Sequence, residues 1–256
     1  MHDLVHELAR SVAVEEVAIC DTNHGSSGAK RDICRYMLFS DFKDGYLKCK
    51  DMPLKARAVH FSDCTGCQPS RDAFSETKWL RVLDLSSMQT VELPRSMRNL
   101  HHLQVLNLSE NTSLVKLHSP TSICDFQKLR YLDIHGCSNL RELPDNIHIL
   151  QDLVHLDLSG CTSLQKLPSR FGELQMLSFL NLSCSQLEML PNTFSQLENL
   201  EYLNLSFCSK LKHLHTLSFK RMKGLLYLNM SACTWLEALP EFYSNNDGCL
   251  NLEILD

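Results

Sequence analysis

The chain has 256 residues, enough for one large domain with a continuous core or for two small ones. Its formal net charge is −5 and its lysines and arginines are spread along the sequence, which argues against a nucleic-acid groove or an anionic membrane surface as the main partner. No run of about 18 apolar residues offers a bilayer span, and the start lacks the apolar run of a signal peptide. The expected compartment is therefore the cytoplasm, with the twelve cysteines as reduced thiols.

In chain order, MHDLVHELARSVA comes first. Leu4, Leu8 and Val12, with Val5, make an apolar stripe at helical spacing, and Asp3 sits at the helix start. A faint unit, CRYMLF, follows at Cys34, and a clearer one, ARAVHFSDC, at Ala56. From Leu80 the pattern is regular: LRVLDLS at Leu80, LQVLNLS at Leu103, LRYLDIHGC at Leu129 and LVHLDLSGC at Leu153. LSFLNLSC at Leu177, LEYLNLSFC at Leu200 and LLYLNMSAC at Leu225 continue it, and LEILD at Leu252 begins an eighth unit. Successive starts lie 23 to 27 residues apart, by subtraction of those numbers. This period predicts a leucine-rich-repeat solenoid of the α/β class, with a curved parallel β-sheet on the concave face and short helices and turns on the convex face. The expected layout is an N-terminal helical segment over 1–30, degenerate repeats over 31–79, and regular repeats over 80–256. LEILD supplies apolar residues without the turn that would cover them, and polar EFYSNNDG precedes it. This end is expected to fray or self-associate.

Within LxxLxL the apolar residues alternate, so Leu156 and Leu158 are expected inside and His155, Asp157 and Ser159 outside. Leu164, Leu167, Phe171 and Leu174 would fill the core from the convex side. Pro94, Pro144, Pro168, Pro191 and Pro240 recur where a fixed φ and a missing N–H suit an extended turn. Cys64, Cys137, Cys161, Cys184, Cys208 and Cys233 are read as one inward slot after the strand, with Asn111 and Met88 taking it in two units. A small thiol there can meet backbone left unpaired at the bend. Cys64-Thr-Gly-Cys67 has no second CxxC or histidine pair at finger spacing, which argues against a zinc site.

No phosphate-binding loop, GxGxxG after a strand, HExxH or GxSxG occurs; His101 and His102 sit in a repeat's turn and His213 and His215 flank a leucine on a convex segment, where solvated or half-packed histidine is the better reading. No catalytic residues and no metal are expected. The exposed strand face instead forms columns. The first runs Val82, Val105, Tyr131, His155, Phe179, Tyr202, Tyr227 and Ile254; the second Asp84, Asn107, Asp133, Asp157, Asn181, Asn204, Asn229 and Asp256. The third is mostly serine, with His135. An aromatic column beside acidic and amide groups suits protein recognition, although aromatic and β-branched residues also simply favour strands. The candidate partner-binding residues are Tyr131, Asp133, His155, Asp157, Phe179, Asn181, Tyr202, Asn204, Tyr227 and Asn229.

The LDLSGC and LPxxxxxL segments resemble the repeats of plant intracellular immune receptors of the nucleotide-binding leucine-rich-repeat class. MHDLVHELARSVA sharpens that likeness: it resembles the MHD motif that closes the NB-ARC nucleotide-binding module, directly before the repeats of those receptors. The likeness covers nearly the whole chain, and the MHD segment followed by repeats is more specific than the repeats alone. It implies that 1–30 is a remnant of the winged-helix end of an NB-ARC module. In the family the motif's histidine approaches bound ADP and helps hold the off state, a role that would fall to His2, with Asp3 beside it. The phosphate-binding loop and its lysine are missing from this sequence, so no cofactor is expected to bind it; ADP or ATP belongs to the full-length family. The resemblance implies a non-enzymatic sensor and autoregulatory part of a defence receptor, either a fragment or a truncated paralogue. Its implied partners are a pathogen effector or guarded host protein, and the NB-ARC module in cis or in trans. The alternative is a cytosolic repeat scaffold of the Ras-associated type, which lacks an MHD segment. A secreted receptor ectodomain would need a signal peptide, and a ligase choosing substrates through its repeats would need a catalytic domain elsewhere.

Overall fold

The computed structural model describes residues 17–21, 34–40, 45–47, 52, 54–62, 64, 67–117, 123–214, 219–238 and 253–255. The N-terminal stripe of Leu4, Val5, Leu8 and Val12 lies outside them, as do His2, Asp3, Pro240 and Asp256. Among the described residues the strands are β1 (Val17–Asp21), β2 (Tyr36–Ser40), β3 (Gly45–Leu47), β4 (Ala58–Ser62), β5 (Cys67–Pro69), β6 (Val82–Asp84) and β7 (Val105–Asn107). They continue as β8 (Tyr131–Asp133), β9 (His155–Asp157), β10 (Phe179–Asn181), β11 (Tyr202–Asn204), β12 (Tyr227–Asn229) and β13 (Glu253–Leu255). Eleven of them form one sheet in the order β1-β2-β4-β6-β7-β8-β9-β10-β11-β12-β13, and β3 pairs with β5 beside it. Every pairing is parallel, because each repeat sends the chain around once and returns it in the same direction.

The strands are short because one leucine per repeat carries the register. Leu83, Leu106, Leu132, Leu156, Leu180, Leu203 and Leu228 sit opposite one another in the ladder, and each is fully buried. Leu158, like Leu156, points into the core. The sheet also takes in β1, from the segment assigned by sequence to 1–30, and β2 and β4, from the region of degenerate repeats. There Met37 and Val59 take the place of the register leucine, and Phe39 and Phe61, two residues on, stack with centroids 4.8 Å apart.

The last strand departs from the expected register. Glu253 pairs with Tyr227 and Ile254 with Leu228, one residue out of phase with the LxxL pattern that would place Ile254 beside Tyr227 and Asp256 beside Asn229. LEILD has apolar residues on both alternations (Leu252 and Ile254 on one, Leu255 on the other), so its own pattern does not choose between the two registers.

Opposite the sheet the chain returns through single 3₁₀ turns; no α-helix occurs among the described residues. Leu164, Leu167, Phe171 and Leu174 are all buried there. Pro94 and Pro191 precede such turns with φ −59° and −66°, and their carbonyls accept the first turn bonds from Met97 and Phe194 at 3.0 and 2.8 Å. Phe171 lies parallel to Phe194 with centroids 6.3 Å apart, and Phe219 follows at 6.5 Å, forming a phenyl spine under consecutive turns. Gly172 is required by close approach: a Cβ there would overlap the Thr193 carbonyl of the next turn. No helix of the described residues is long and apolar enough to cross a membrane.

Two further columns lock the strands' exit. In the first, buried Cys137, Cys161 and Cys208 donate to the Leu108, Ile134 and Leu182 carbonyls of the previous repeat at 3.1, 3.3 and 3.2 Å. Half-buried Cys233 reaches Leu205 at 3.1 Å, and Cys64 approaches Phe39. Burial pushes the Cys137 thiol up to about 12 and also raises Cys161, so these groups stay protonated donors and poor nucleophiles. Asn111 does the same work more completely, donating to the Leu85 and Leu108 carbonyls at 2.8 Å each and accepting from the Thr90 N–H at 2.7 Å.

Cys184 is a correction. It is exposed, and Ser185 occupies the slot instead, within 3.3 Å of the Cys208 sulfur. LSCS carries its serine where LSGC carries cysteine, so Cys184 aligns with Gly160. That position is the second column, and it is left-handed throughout: Ser87, Glu110, Gly136, Gly160, Cys184, Phe207 and Ala232 all have φ between 58° and 70°. Only two of the seven are the glycine this conformation favours.

Candidate protein-recognition surface

The central concave column is a ladder of stacked rings. Tyr131 lies over His155 with centroids 4.1 Å apart, His155 over Phe179 at 4.0 Å, and Phe179 over Tyr202 at 4.4 Å. Tyr202 meets Tyr227 at 4.4 Å, and no pair is more than 10° from parallel. Strand spacing of about 4.8 Å and in-phase register hold flat rings at this separation without further contacts. All five residues are half-buried, so the ladder shows ring edges to solvent while ring faces close on one another. Burial lowers the His155 pKa and raises that of Tyr131, so the upper ladder is neutral at ordinary pH. The Tyr131 hydroxyl and His155 Nε2 are buried there without a hydrogen-bond partner.

The neighbouring aspartate and asparagine column does not project outward as its alternation suggests. Asp84 and Asp133 are each 1% exposed, and Asp157 is buried as well. Each side chain instead accepts from the backbone N–H two residues on: Asp84 from Ser86 at 2.9 Å, Asn107 from Ser109 at 2.9 Å, Asp133 from His135 at 3.0 Å and Asp157 from Ser159 at 2.9 Å. Asn181, Asn204 and Asn229 repeat this toward Ser183, Ser206 and Ser231 at 3.2, 2.9 and 2.9 Å. These are Asx turns that end each strand. Of the candidate polar residues, Asp133 and Asp157 therefore have a structural task, and half-buried Asn181, Asn204 and Asn229 share it.

The buried carboxylates are compensated locally. His60 Nδ1 lies 2.8 Å from Asp84 Oδ2. Burial pushes the Asp84 carboxyl up, but the His60 hydrogen bond and charge and the Ser86 contacts outweigh it, leaving the pKa lowered. His135 Nδ1 is 2.8 Å from Asp133 Oδ1, with Glu110 at 3.4 Å from the other ring nitrogen. The hydrogen bond to Asp133, reinforced by surrounding acids, raises the His135 pKa against the opposing effect of burial. Asp157 takes the Ser159 hydroxyl at 2.6 Å and the Asn181 amide at 3.4 Å. Among the described residues no group of three or more His, Cys, Asp or Glu side chains is placed to hold a metal ion.

Short parallel strands with one inward leucine each, 3₁₀ turns on the opposite face and ladders of small polar groups at the bend define a leucine-rich-repeat solenoid, a fold that presents its concave sheet as a protein-interaction surface. The leucine-rich repeat region family matches residues 113–242, more than half of the 256, and the chain belongs to that family. Among solved structures it is similar to a leucine-rich-repeat protein of Leptospira interrogans, with a TM-score of 0.54 and 20% identity over 80% of this chain and 56% of that one. The chain thus spans little more than half of that protein's length. An internalin C2 from Listeria monocytogenes aligns with a TM-score of 0.47 and 17% identity, over 64% of this chain and 76% of that one. No curated protein sequence matches it.

Proposed function

We propose that this chain is the sensor and autoregulatory part of a plant intracellular immune receptor of the nucleotide-binding leucine-rich-repeat class, acting in the cytoplasm without catalysis of its own. In this reading residues 1–30 come from the end of an NB-ARC module, with β1 (Val17–Asp21) joined to the repeat sheet, 31–79 carry degenerate repeats and 80–256 the regular ones. The concave face recognises a pathogen effector or a guarded host protein, and the chain restrains an NB-ARC module in cis or in trans. The observation that carries the recognition role is the five-ring ladder from Tyr131 to Tyr227. It is a continuous strip of half-exposed aromatic edges, the kind of group on which protein interfaces concentrate their energy. The MHD-like segment and the LPxxxxxL segments support the receptor class.

Burial of the aspartates narrows the proposed contact set. Tyr131, His155, Phe179, Tyr202 and Tyr227 remain its centre, with Asn181, Asn204 and Asn229 beside them, and Asp133 and Asp157 acting chiefly through the turns they hold. Two measurements test the proposal. The genomic sequence upstream of Met1 should encode a phosphate-binding loop; its absence there, together with no association with an NB-ARC module in trans, would refute the receptor class. An NB-ARC fragment of such a receptor, co-expressed with this chain, should co-purify with it and lose that association when Phe179 and Tyr202 become alanine, or else retain it while partner binding is lost. If neither association responds to the ladder, recognition through the concave rings is wrong.

A further inference from the structure

Seven of the 25 lysines and arginines that look scattered in the sequence are gathered by the fold. Arg35, Arg57, Arg81 and Arg130 each immediately precede a strand, and the strands pair in register as Tyr36, Ala58, Val82, Val105 and Tyr131. They therefore form one column, with Gln104 as its only uncharged member over five neighbouring strands. The backbone ladder runs straight through it: Arg57 donates to Arg35, Arg81 to Arg57, Gln104 to Arg81 and Arg130 to Gln104, at 2.7 to 2.8 Å. Arg35, Arg81 and Arg130 are exposed and Arg57 is half-buried. Lys55, Lys78 and Lys128 are exposed beside them on the same edge. Among the described residues, neither Arg57, Arg81 and Arg130 nor these three lysines have an ion-pair partner. Farther along, the same edge changes sign, with Asp152, Glu198 and Glu201 in the corresponding positions.

We propose that this arginine column is a docking strip for an extended acidic segment of a partner protein. Four strand intervals of about 4.8 Å give a strip of roughly 19 Å, which an extended chain covers in about six residues. Arginine dominates the column, and its planar fork pairs with carboxylates in a way a lysine point charge does not. At the far end Lys128 and Arg130 border a shallow depression of about 320 Å³ that is also lined by Gln104, Asp152, Val154 and Met176; Val154 and Met176 give the segment a place for one apolar side chain, and Asp152 marks where its acidic residues must end. Single-stranded nucleic acid fits less well. It binds basic grooves by stacking bases on open ring faces, and here the concave rings stack on one another while Trp79 already stacks on His102 at 5.5 Å. The proposal is independent of the concave-ladder reading, since the strip lies on the sheet's entering edge and uses none of its rings.

The test is fluorescence anisotropy with a labelled glutamate-rich peptide of about ten residues carrying one leucine, alongside single-stranded oligouridine and phosphatidylserine vesicles as competitors. Binding should weaken as salt rises, and Arg57→Glu/Arg81→Glu/Arg130→Glu should lower affinity by roughly tenfold or more. Lys166→Glu on the convex side should leave it unchanged. The milder Arg81→Gln/Arg130→Gln, checked by circular dichroism, repeats the measurement if charge reversal unfolds the chain, and should also weaken binding. Absent peptide binding, binding indifferent to these arginines, or tighter binding of oligouridine or vesicles than of peptide would each overturn the proposal. Loss of binding by the arginine variants with ladder variants unaffected separates this strip from the recognition surface above.

Discussion

Removing rings from the concave ladder should cost stability in proportion to the neighbours each ring loses. Tyr202 lies between Phe179 and Tyr227 with both centroids 4.4 Å away, whereas Tyr227 stacks on Tyr202 alone among the described rings. A stacked aromatic pair is worth about 0.5–1.5 kcal/mol beyond its buried area. Tyr202→Ala therefore forfeits two pairs, about 1–3 kcal/mol, and Tyr227→Ala one, about 0.5–1.5 kcal/mol. Leu203, the next residue on the strand, is fully buried on the other face, and Leu203→Ala should cost about 2–5 kcal/mol through lost transfer energy and a cavity. The expected order is Leu203, then Tyr202, then Tyr227. The Tyr202→Ala/Tyr227→Ala double variant should be less destabilised than the sum of the singles by about one pair energy, because their shared contact can be lost only once. Urea unfolding followed by circular dichroism measures all four, with the slope checked for each variant, since repeat arrays can lose cooperativity. Additivity of the two tyrosine changes to within about 0.3 kcal/mol would show that the rings lie near one another without interacting. A Tyr202→Ala cost above about 3 kcal/mol with a Leu203→Ala cost below about 2 kcal/mol would show that the strand faces are misassigned.

The repeat period made the sheet, its parallel sense and its inward leucines legible, because one leucine per turn must meet its equivalents for any repeat to bury its face. The aromatic column was legible for the same reason: Tyr131, His155, Phe179, Tyr202 and Tyr227 keep one offset from those leucines. Alternation misled at Asp133 and Asp157. It says which way a Cβ leaves the strand, but a short carboxylate there turns to the backbone N–H two residues on, and the strand ends. The serine or histidine two residues after each Asp or Asn was the available signal. Cys184 was misplaced by matching letters in place of offsets; counted from Leu180, it falls at Gly160's position, where the chain is left-handed. The arginine column was hidden because its members lie 22 to 49 residues apart in sequence, and composition alone makes such a set look dispersed. Register at LEILD was not legible, since neither alternation of that segment is free of apolar residues.

Four further outcomes follow from particular contacts. Gly172→Ala should destabilise by several kcal/mol in thermal melts, since its Cβ would meet the Thr193 backbone; a change within about 0.5 kcal/mol would mean the adjacent turns can separate freely. Phe207→Gly should stabilise by up to about 1 kcal/mol, because relief of a left-handed φ of 59° at a residue 61% exposed outweighs the added freedom of the unfolded chain; a lower melting temperature would refute this. Maleimide labelling of the native protein should modify Cys184 well before Cys137, Cys161 or Cys208, and peptide mapping that finds equal rates would contradict the slot assignment. The last outcome concerns pH. Its hydrogen bond to Asp133 raises the His135 pKa in the folded state above an unfolded value of about 6.5, so the folded chain holds this proton more tightly. The contribution of His135 is therefore fully present below about pH 6.5 and lost as pH rises through the higher folded value. His155 runs the other way, since burial lowers its folded pKa and its linkage costs stability as the solution is acidified. Comparing wild type with His135→Gln at each pH cancels His155, which both chains keep. The stability gap between them should be larger at about pH 5.5 than at about pH 8. A gap that is flat, or that widens toward alkaline pH, would show that the imidazole gains nothing from the carboxylate beneath it.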